Sequence, residues 1–383
     1  MRRRRFLAPW HQKELMDREL EWSEGMEGLA VENRELLEAE MRAMRGRSAI
    51  YHCVSRVVNR DFVLGDEEKE EFVRLMRLYE DFCEVGVLTF CVMSNHFHLL
   101  LEVPAAPECG GRSWSDEKVL AQWAKLYTER ELGRKRWELE HYRAQGNHQA
   151  AEQLRETCFA RMWNLSEYMK SVKQCFTQWF NRKHARRGTL WEERFKNELA
   201  QEGHAARRIA AYIDLNPVRA GLVEDPKDYR WSGYGQAVAG KKKAREGLRR
   251  VLYEEHLTRM NEERADAELA GWSEVQRKYR VELFVDGEFS ARDKAKGRMG
   301  ISAARVKRIL QEGGNLSEAE VLRCRTRYFL DGLVIGSESF VNGVFAMARG
   351  YFGRKRRSGA RRMRGVETTL YTIRELRRQA VIP

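Results

Sequence analysis

Long apolar runs are missing from this chain of 383 residues. No stretch approaches the roughly 18 apolar residues that read as a membrane span, so none is expected. The start, MRRRRFLAPWHQKEL, has a basic cluster but no apolar stretch of a secretory signal. Cysteine is sparse and unpatterned: seven residues, Cys53, Cys83, Cys91, Cys109, Cys158, Cys175 and Cys324, odd in number and without a CxxC pair. That excludes a disulfide framework and a cysteine zinc site. A Gly-rich loop able to cradle phosphates is also lacking, and no internal repeat is visible. These absences point to a cytoplasmic protein that does not draw on a bound nucleotide.

What the chain does have is positive charge. Lys and Arg number 70 against 57 Asp and Glu, a net +13, and such an excess implies a polyanionic partner, nucleic acid first. The excess is uneven, because residues 351–383 hold ten Lys or Arg against two Glu. This end reads as a basic arm or patch, with a solubilising tail as the alternative.

Residues 12–45 are rich in Glu, Leu, Met and Arg and lack proline, which predicts a charged helical lead-in. From Ala49 the texture changes. AIYHCVSRVV is β-branched and alternating, EEKEEFVRLMRLYEDFCEV has helical spacing, and GVLTFCVM and SNHFHLLLEV read as two strands around a Ser-Asn turn. Strand, helix and hairpin in that order predict an antiparallel sheet with helices on one face, an α+β fold. Pro104, Pro107, Gly110 and Gly111 then interrupt the pattern, and a charged helical insertion is expected at about residues 105–160. Helical spacing returns in LSEYMKSVKQCFTQWFNRKH; WEERFKNELA reads as extended; HAARRIAAYIDLN is a helix closed by Pro217. KKKAREGLRR reads as a linker, and the region beyond it as mainly helical, notably ISAARVKRILQEGG and NLSEAEVLRCRTRYFL.

His96 and His98 are two apart on a predicted strand, so both imidazoles leave one face while Phe97 leaves the other. Two neutral rings aimed at one spot can share a metal ion. The same spacing also suits histidines satisfied by hydrogen bonds at a sheet edge. Tyr212 and Asn216 stand at i and i+4, one turn apart on one helix face. Taken alone they are equally compatible with a half-buried core aromatic and a helix-end residue before proline.

Five stretches, AIYHCVSRVVNRDFVL, VMSNHFHLLLEVP, SVKQCFTQWFNRKHARRGTLWEERFK, AAYIDLNPVRAGLV and DYRWSGY, occur in this order over roughly residues 47–235. In these stretches the chain resembles the single-tyrosine HUH transposases and, among them, the REP-associated tyrosine transposases. The resemblance implies a ferredoxin-like antiparallel sheet of the HUH nuclease type, His96 and His98 as metal ligands, Asn216 as a third ligand and Tyr212 as the nucleophile. It also implies a single-stranded DNA endonuclease and strand transferase that works through a 5′-phosphotyrosine and acts near hairpins or REP-like repeats. Mixed nitrogen and oxygen ligands with open positions suit Mg²⁺ or Mn²⁺ acting on phosphate. The organisation that follows is a lead-in over 1–46, a catalytic domain over 47–235 and a basic region over 236–383 that could serve as an accessory DNA-binding module.

Around the tyrosine and histidines, Lys173, Arg182, Lys183, Arg186, Arg187, Arg194 and Lys196 lie among Trp179, Phe180, Trp191 and Phe195. Cations that neutralise phosphates interleaved with rings suit unstacked single strands. Phe176, Trp179 and Phe180 at helical spacing also fit a core, so Arg187, Arg194, Lys196 and Lys173 are the stronger DNA-binding candidates. His52 and Arg56 can face the same site without an assigned role. The chain is expected on the nucleoid as a monomer or homodimer. The rival readings are a domesticated DNA-binding protein that no longer cuts, and a replication or conjugation nickase with the same chemistry.

Overall fold

The computed structural model describes residues 6–12, 44, 46–107, 110–253, 271–284, 316–317, 325–326, 329, 332–352, 356–363, 366–373 and 381–382. The helical lead-in expected over 12–45 lies outside them apart from Gln12 and Met44. So do ISAARVKRILQEGG and most of NLSEAEVLRCRTRYFL.

Strand β1 (Ala49–Arg56), helix α1 (Asp66–Cys83), and strands β2 (Gly86–Val92) and β3 (His96–Val103) follow one another as the alternation and helical spacing required. The insertion folds as α2 (Asp116–Ala124), α3 (Glu129–Ala144) and α4 (His148–Phe159). Their ends are capped by Ser115, Thr128 and Asn147, whose side chains accept from amides of the first turn. The unit docks on the C-terminal end of α1 through buried Gln122, which donates to the carbonyls of Asp81 (3.0 Å) and Phe82 (2.6 Å). Then come α5 (Leu165–Lys183), β4 (Lys196–Ala200), α6 (His204–Asp214) and the short α7 (Asn216–Arg219). The break falls at Leu215, one residue ahead of Asn216 and Pro217.

The order β2-β3-β1-β4, with β1 antiparallel to both β3 and β4, is the ferredoxin-like arrangement. Alternation sorts the two faces. Phe97 points to the α1 and α5 side, where its ring meets Phe72 (4.4 Å between centroids) and Trp191 (5.3 Å), with Phe176 behind Phe72 at 5.4 Å. Phe176, Phe180, Trp191 and Phe195 are buried. These rings are core, and that removes them as base platforms.

One expectation is corrected. KKKAREGLRR is no linker: Lys242–Tyr253 is a helix, with Ala244, Leu248 and Val251 buried one helical face apart. It comes so close to β2 that a Cβ on Gly247 would run into the Leu88 carbonyl. Residue 235 is therefore not a packing boundary, and Trp272–Phe284 also joins the core through buried Val275 and Tyr279. The end of the chain, read as mainly helical, holds the helix Glu338–Met347 among its described residues and also adds three short strands to the sheet. β5 (Val334–Gly336) runs parallel to β4, and Tyr371–Thr372 and Arg361–Arg362 continue the edge. Strands of two or three residues carry no readable alternation.

The basic arm is thus partly structural. Met363, Leu370 and Ile373 are buried, and Arg356 lies over Phe345 and Phe352 (5.4 and 5.2 Å) while donating to the carbonyls of Ser358 and Gly359. Arg357 and Arg362 are exposed and Arg361 is half-buried. Deleting 351–383 would remove core residues as well as charge, so the arm is better tested by replacing Arg357, Arg361 and Arg362 with Ala. If these side chains meet phosphates, the slope of log affinity against log salt falls by about 2 to 3. An unchanged slope in a binding titration would leave them as solvated surface.

Candidate active site

The second face of the sheet carries the candidate site residues. Across β3, β1 and β4 the register sets His98, Val54 and Lys196 in one row, Leu100, His52 and Glu198 in the next, and His96 opposite Arg56. Helix α6 covers this face and brings the Tyr212 ring edge-on to His52 (6.3 Å) and His98 (6.1 Å). His96, His98 and Tyr212 therefore meet at one place, joined by His52, whose role the sequence left open.

The histidine pair fits a metal. His96 and His98 are perpendicular with centroids 5.1 Å apart, a separation from which one nitrogen of each can reach a common ion over bonds of about 2.1 Å. Nδ1 of His98 is engaged with Nε2 of His52 at 2.9 Å, and Nδ1 of His96 with Oδ1 of Asn95 at 2.6 Å. With the proton on Nδ1 of each ring the lone pair falls on Nε2, the arrangement that outer partners of metal-bound histidines impose. Burial disfavours the imidazolium, so His52 is held down at about 4 and His98 well below its usual value, the latter also opposed by the charges of His96, Arg219 and Arg56. The Phe329 carbonyl acts on His52 in the opposite sense, although Nδ1 of that ring has no aligned hydrogen bond. Neutral imidazole is the ligating form. Among the described residues no three His, Cys, Asp or Glu side chains gather as a metal cluster.

Asn216 sits half-buried one turn beyond the tyrosine, its Nδ2 donating to the Tyr212 carbonyl at 3.4 Å. The same carbonyl accepts from Arg219 at 2.7 Å, and that guanidinium lies 4.1 Å from the centre of the Tyr212 ring. Arg219 was missed from the sequence, although it stands seven residues after Tyr212 and so on the same side of the helix. The phenol ring is only 2 % exposed, closed over by Phe329 from the C-terminal region at 5.0 Å. Tyr168, the competing tyrosine, is buried elsewhere in the core with its hydroxyl donating to the Met76 carbonyl at 3.3 Å.

Of the four DNA-binding candidates, Arg187, Arg194 and Lys196 are exposed, and Lys196 shares the face of His98. Lys173 is half-buried, its Nζ donating to the Glu193 carbonyl (3.0 Å). Lys183 is held by Glu67 (2.6 Å) and Glu68 (2.7 Å).

Asp214, also unforeseen, fixes the helix that carries Tyr212. Fully buried, it accepts from Tyr279 Oη (2.6 Å), Thr89 Oγ1 (2.8 Å) and the Tyr234 amide (3.1 Å). Desolvation raises its carboxyl to about 6 against these three bonds. The close approach behind it needs Gly233, where a Cβ would collide with Thr89.

These shifts set a pH dependence. His52 and His98 are depressed in the fold, so each contributes stability that is present above the unfolded value near 6.5 and is lost as pH falls through the folded value. Asp214 is raised, so its contribution is present below 3.8 and lost as pH rises through about 6. Between pH 6 and 4 two histidines oppose one carboxyl, and the unfolded chain binds one proton more. These three groups should lower stability by about 1 kcal/mol per pH unit on acidification. Urea midpoints at pH 6 and pH 5 check this, and a midpoint higher at pH 5 would contradict it.

Comparison with known proteins agrees with the motifs. Residues 47–109 match the family model described as "Transposase IS200 like", a segment that contains β1, α1, β2, β3 and both histidines of the pair. The transposase resemblance is thereby borne out for this part of the chain. A solved REP-associated tyrosine transposase bound to a REP hairpin is also similar, at 13 % identity and a TM-score of 0.33, over 51 % of this chain and 81 % of that one. No curated protein matches. Among the described residues no helix is long and apolar enough to cross a membrane.

Proposed function

We propose that the protein is a metal-dependent single-stranded DNA endonuclease and strand transferase that acts at hairpin or repeat sequences with Tyr212 as nucleophile. The observation that carries this reading is the meeting of Tyr212 with His96 and His98 on one sheet face, beside Arg219 and Arg56. A phenol of pKa about 10 is a poor nucleophile at neutral pH. Mg²⁺ or Mn²⁺ held by Nε2 of His96 and His98, with the Asn216 amide oxygen as a third donor, would offset charge on the scissile phosphate. The two guanidinium groups orient the same phosphate. Tyr212 Oη then forms the bond to phosphorus, the bond to the 3′ oxygen breaks, the phenolic proton leaves to water and a proton from water completes the 3′ hydroxyl. The 5′-phosphotyrosine conserves the bond, so a second 3′ hydroxyl can reverse the step and join strands. Phe329 must move aside for a strand to reach the phenol.

Retention of the nucleophile and the histidine pair on one face favours this reading over a DNA-binding protein that no longer cuts. The test is incubation with labelled hairpin oligonucleotides from the gene's own neighbourhood and Mg²⁺. A protein-DNA adduct that survives denaturation is expected, and binding without any adduct would favour the non-cutting alternative.

A further inference from the structure

The loop between β1 and α1 has features that the reaction as proposed does not use. Phe62 is 81 % exposed, the largest exposure recorded for a bulky apolar side chain among the described residues. Water contact at a whole phenyl ring is unfavourable by about 2 kcal/mol relative to burial, yet the loop does not fold it in. The backbone is nevertheless well tied. The Val57 amide donates to the Asn95 carbonyl (2.9 Å), Val58 to Leu190 (2.9 Å) and Leu64 to Ser94 (2.9 Å), and Val57 bridges to Trp191. Asn59 and Arg60 both sit in the left-handed region, with φ of 56° and 61°. Asparagine tolerates this and arginine does so less readily, so the bend is held against some strain. A rigid, strained turn that presents an exposed ring next to an active site suits a ligand-contacting element.

Asn95 supplies the link to the chemistry. Its Nδ2 donates to the Arg60 carbonyl at 3.1 Å. A carbonyl can only accept, so this bond fixes which end of the amide is nitrogen. Oδ1 therefore faces His96 Nδ1, 2.6 Å away, and must accept from it. The loop geometry thus sets the tautomer of His96, with the proton on Nδ1 and the lone pair on Nε2. The surroundings of the loop carry both signs of charge: Arg60 is exposed, the segment bonded to the loop through Leu190 and Trp191 carries the exposed Arg187 and Arg194 together with Glu192 and Glu193, and Asp61 is the one acidic side chain in the turn.

We propose that residues 57–62 form a base-contacting loop in which Phe62 stacks on an unpaired base of a single strand, and that Asn95 is the positioning residue that ties this loop to His96. The proposal rests on the reading of the protein as a single-strand nuclease but is tested without cleavage. Phe62→Ala should weaken binding of a mixed-sequence single-stranded oligonucleotide by about 5- to 100-fold, the range for losing one base-aromatic stack. Its salt slope should stay unchanged because no phosphate contact is lost. Affinity for a fully paired duplex should hardly move, and Phe62→Trp should restore single-strand binding.

Asn95→Ala should weaken single-strand binding too, and nitrogen-detected imidazole NMR of the metal-free protein should show the His96 proton shifting from Nδ1 towards Nε2. Asn95→Asp keeps the acceptor for His96 and loses the donor to Arg60. It should retain the Nδ1 proton while weakening binding. Unchanged single-strand affinity in Phe62→Ala, or an equal loss for duplex, would overturn the stacking role. An unaltered His96 tautomer in Asn95→Ala would overturn the coupling. A wild-type protein that forms no adduct but loses single-strand affinity on Phe62→Ala would sink the nuclease reading and leave the loop assignment standing.

Discussion

Tyr212→Phe is expected to abolish the covalent adduct while the protein folds and still binds DNA. The phenyl ring keeps its place beneath Phe329 and against the Arg219 guanidinium, so packing is retained. Loss of the hydroxyl should cost at most about 1 to 2 kcal/mol of stability. Adduct formation, in contrast, should fall by at least on the order of a thousandfold, because no other group takes over a missing nucleophile. Tyr168→Phe should remain active, since that hydroxyl is spent on the Met76 carbonyl inside the core. Mass spectrometry of the trapped adduct decides the matter, and a phosphotyrosyl nucleotide at Tyr168, or normal cleavage by Tyr212→Phe, would remove Tyr212 from the mechanism.

His96→Ala and His98→Ala should both lose cleavage, but with different effects on the fold. His98 is buried and bonded to His52, itself buried. Its removal leaves the buried Nε2 of His52 without this partner, at a cost of about 1 to 3 kcal/mol, and opens a cavity that adds to it. His96 is half-buried at the end of β3, so its loss should change stability by less than about 1 kcal/mol. DNA binding should persist in both, because it depends mainly on phosphate contacts elsewhere. Cleavage assays in limiting Mg²⁺ together with urea midpoints check the pair. Full cleavage by either variant would exclude that histidine from the site, and equal midpoints would show that the contact between His98 and His52 contributes nothing to stability.

The parts of the site legible in the sequence were those with a local period. Strand alternation alone puts His96 and His98 on one face and Phe97 on the other, and the helical repeat alone puts Tyr212 and Asn216 one turn apart. The same repeat could have added Arg219. In KKKAREGLRR the apolar positions Ala244, Leu248 and Val251 also keep helical spacing, but the density of charge around them hid a helix as a linker.

Nothing local, however, brings the helix to the strand. That Tyr212 lies against His98, that His52 rather than solvent binds Nδ1 of His98, and that Asp214 finds Thr89 and Tyr279 are consequences of strand register and helix packing between residues far apart in the chain. The same holds for Phe329 over the phenol, and for the sheet-edge strands of two or three residues, of which β5 pairs with β4 and the other two extend the sheet beyond it. Periodicity determines which side chains share a face. Only the tertiary structure decides what that face meets, because a contact across the fold leaves no repeat in the sequence to read.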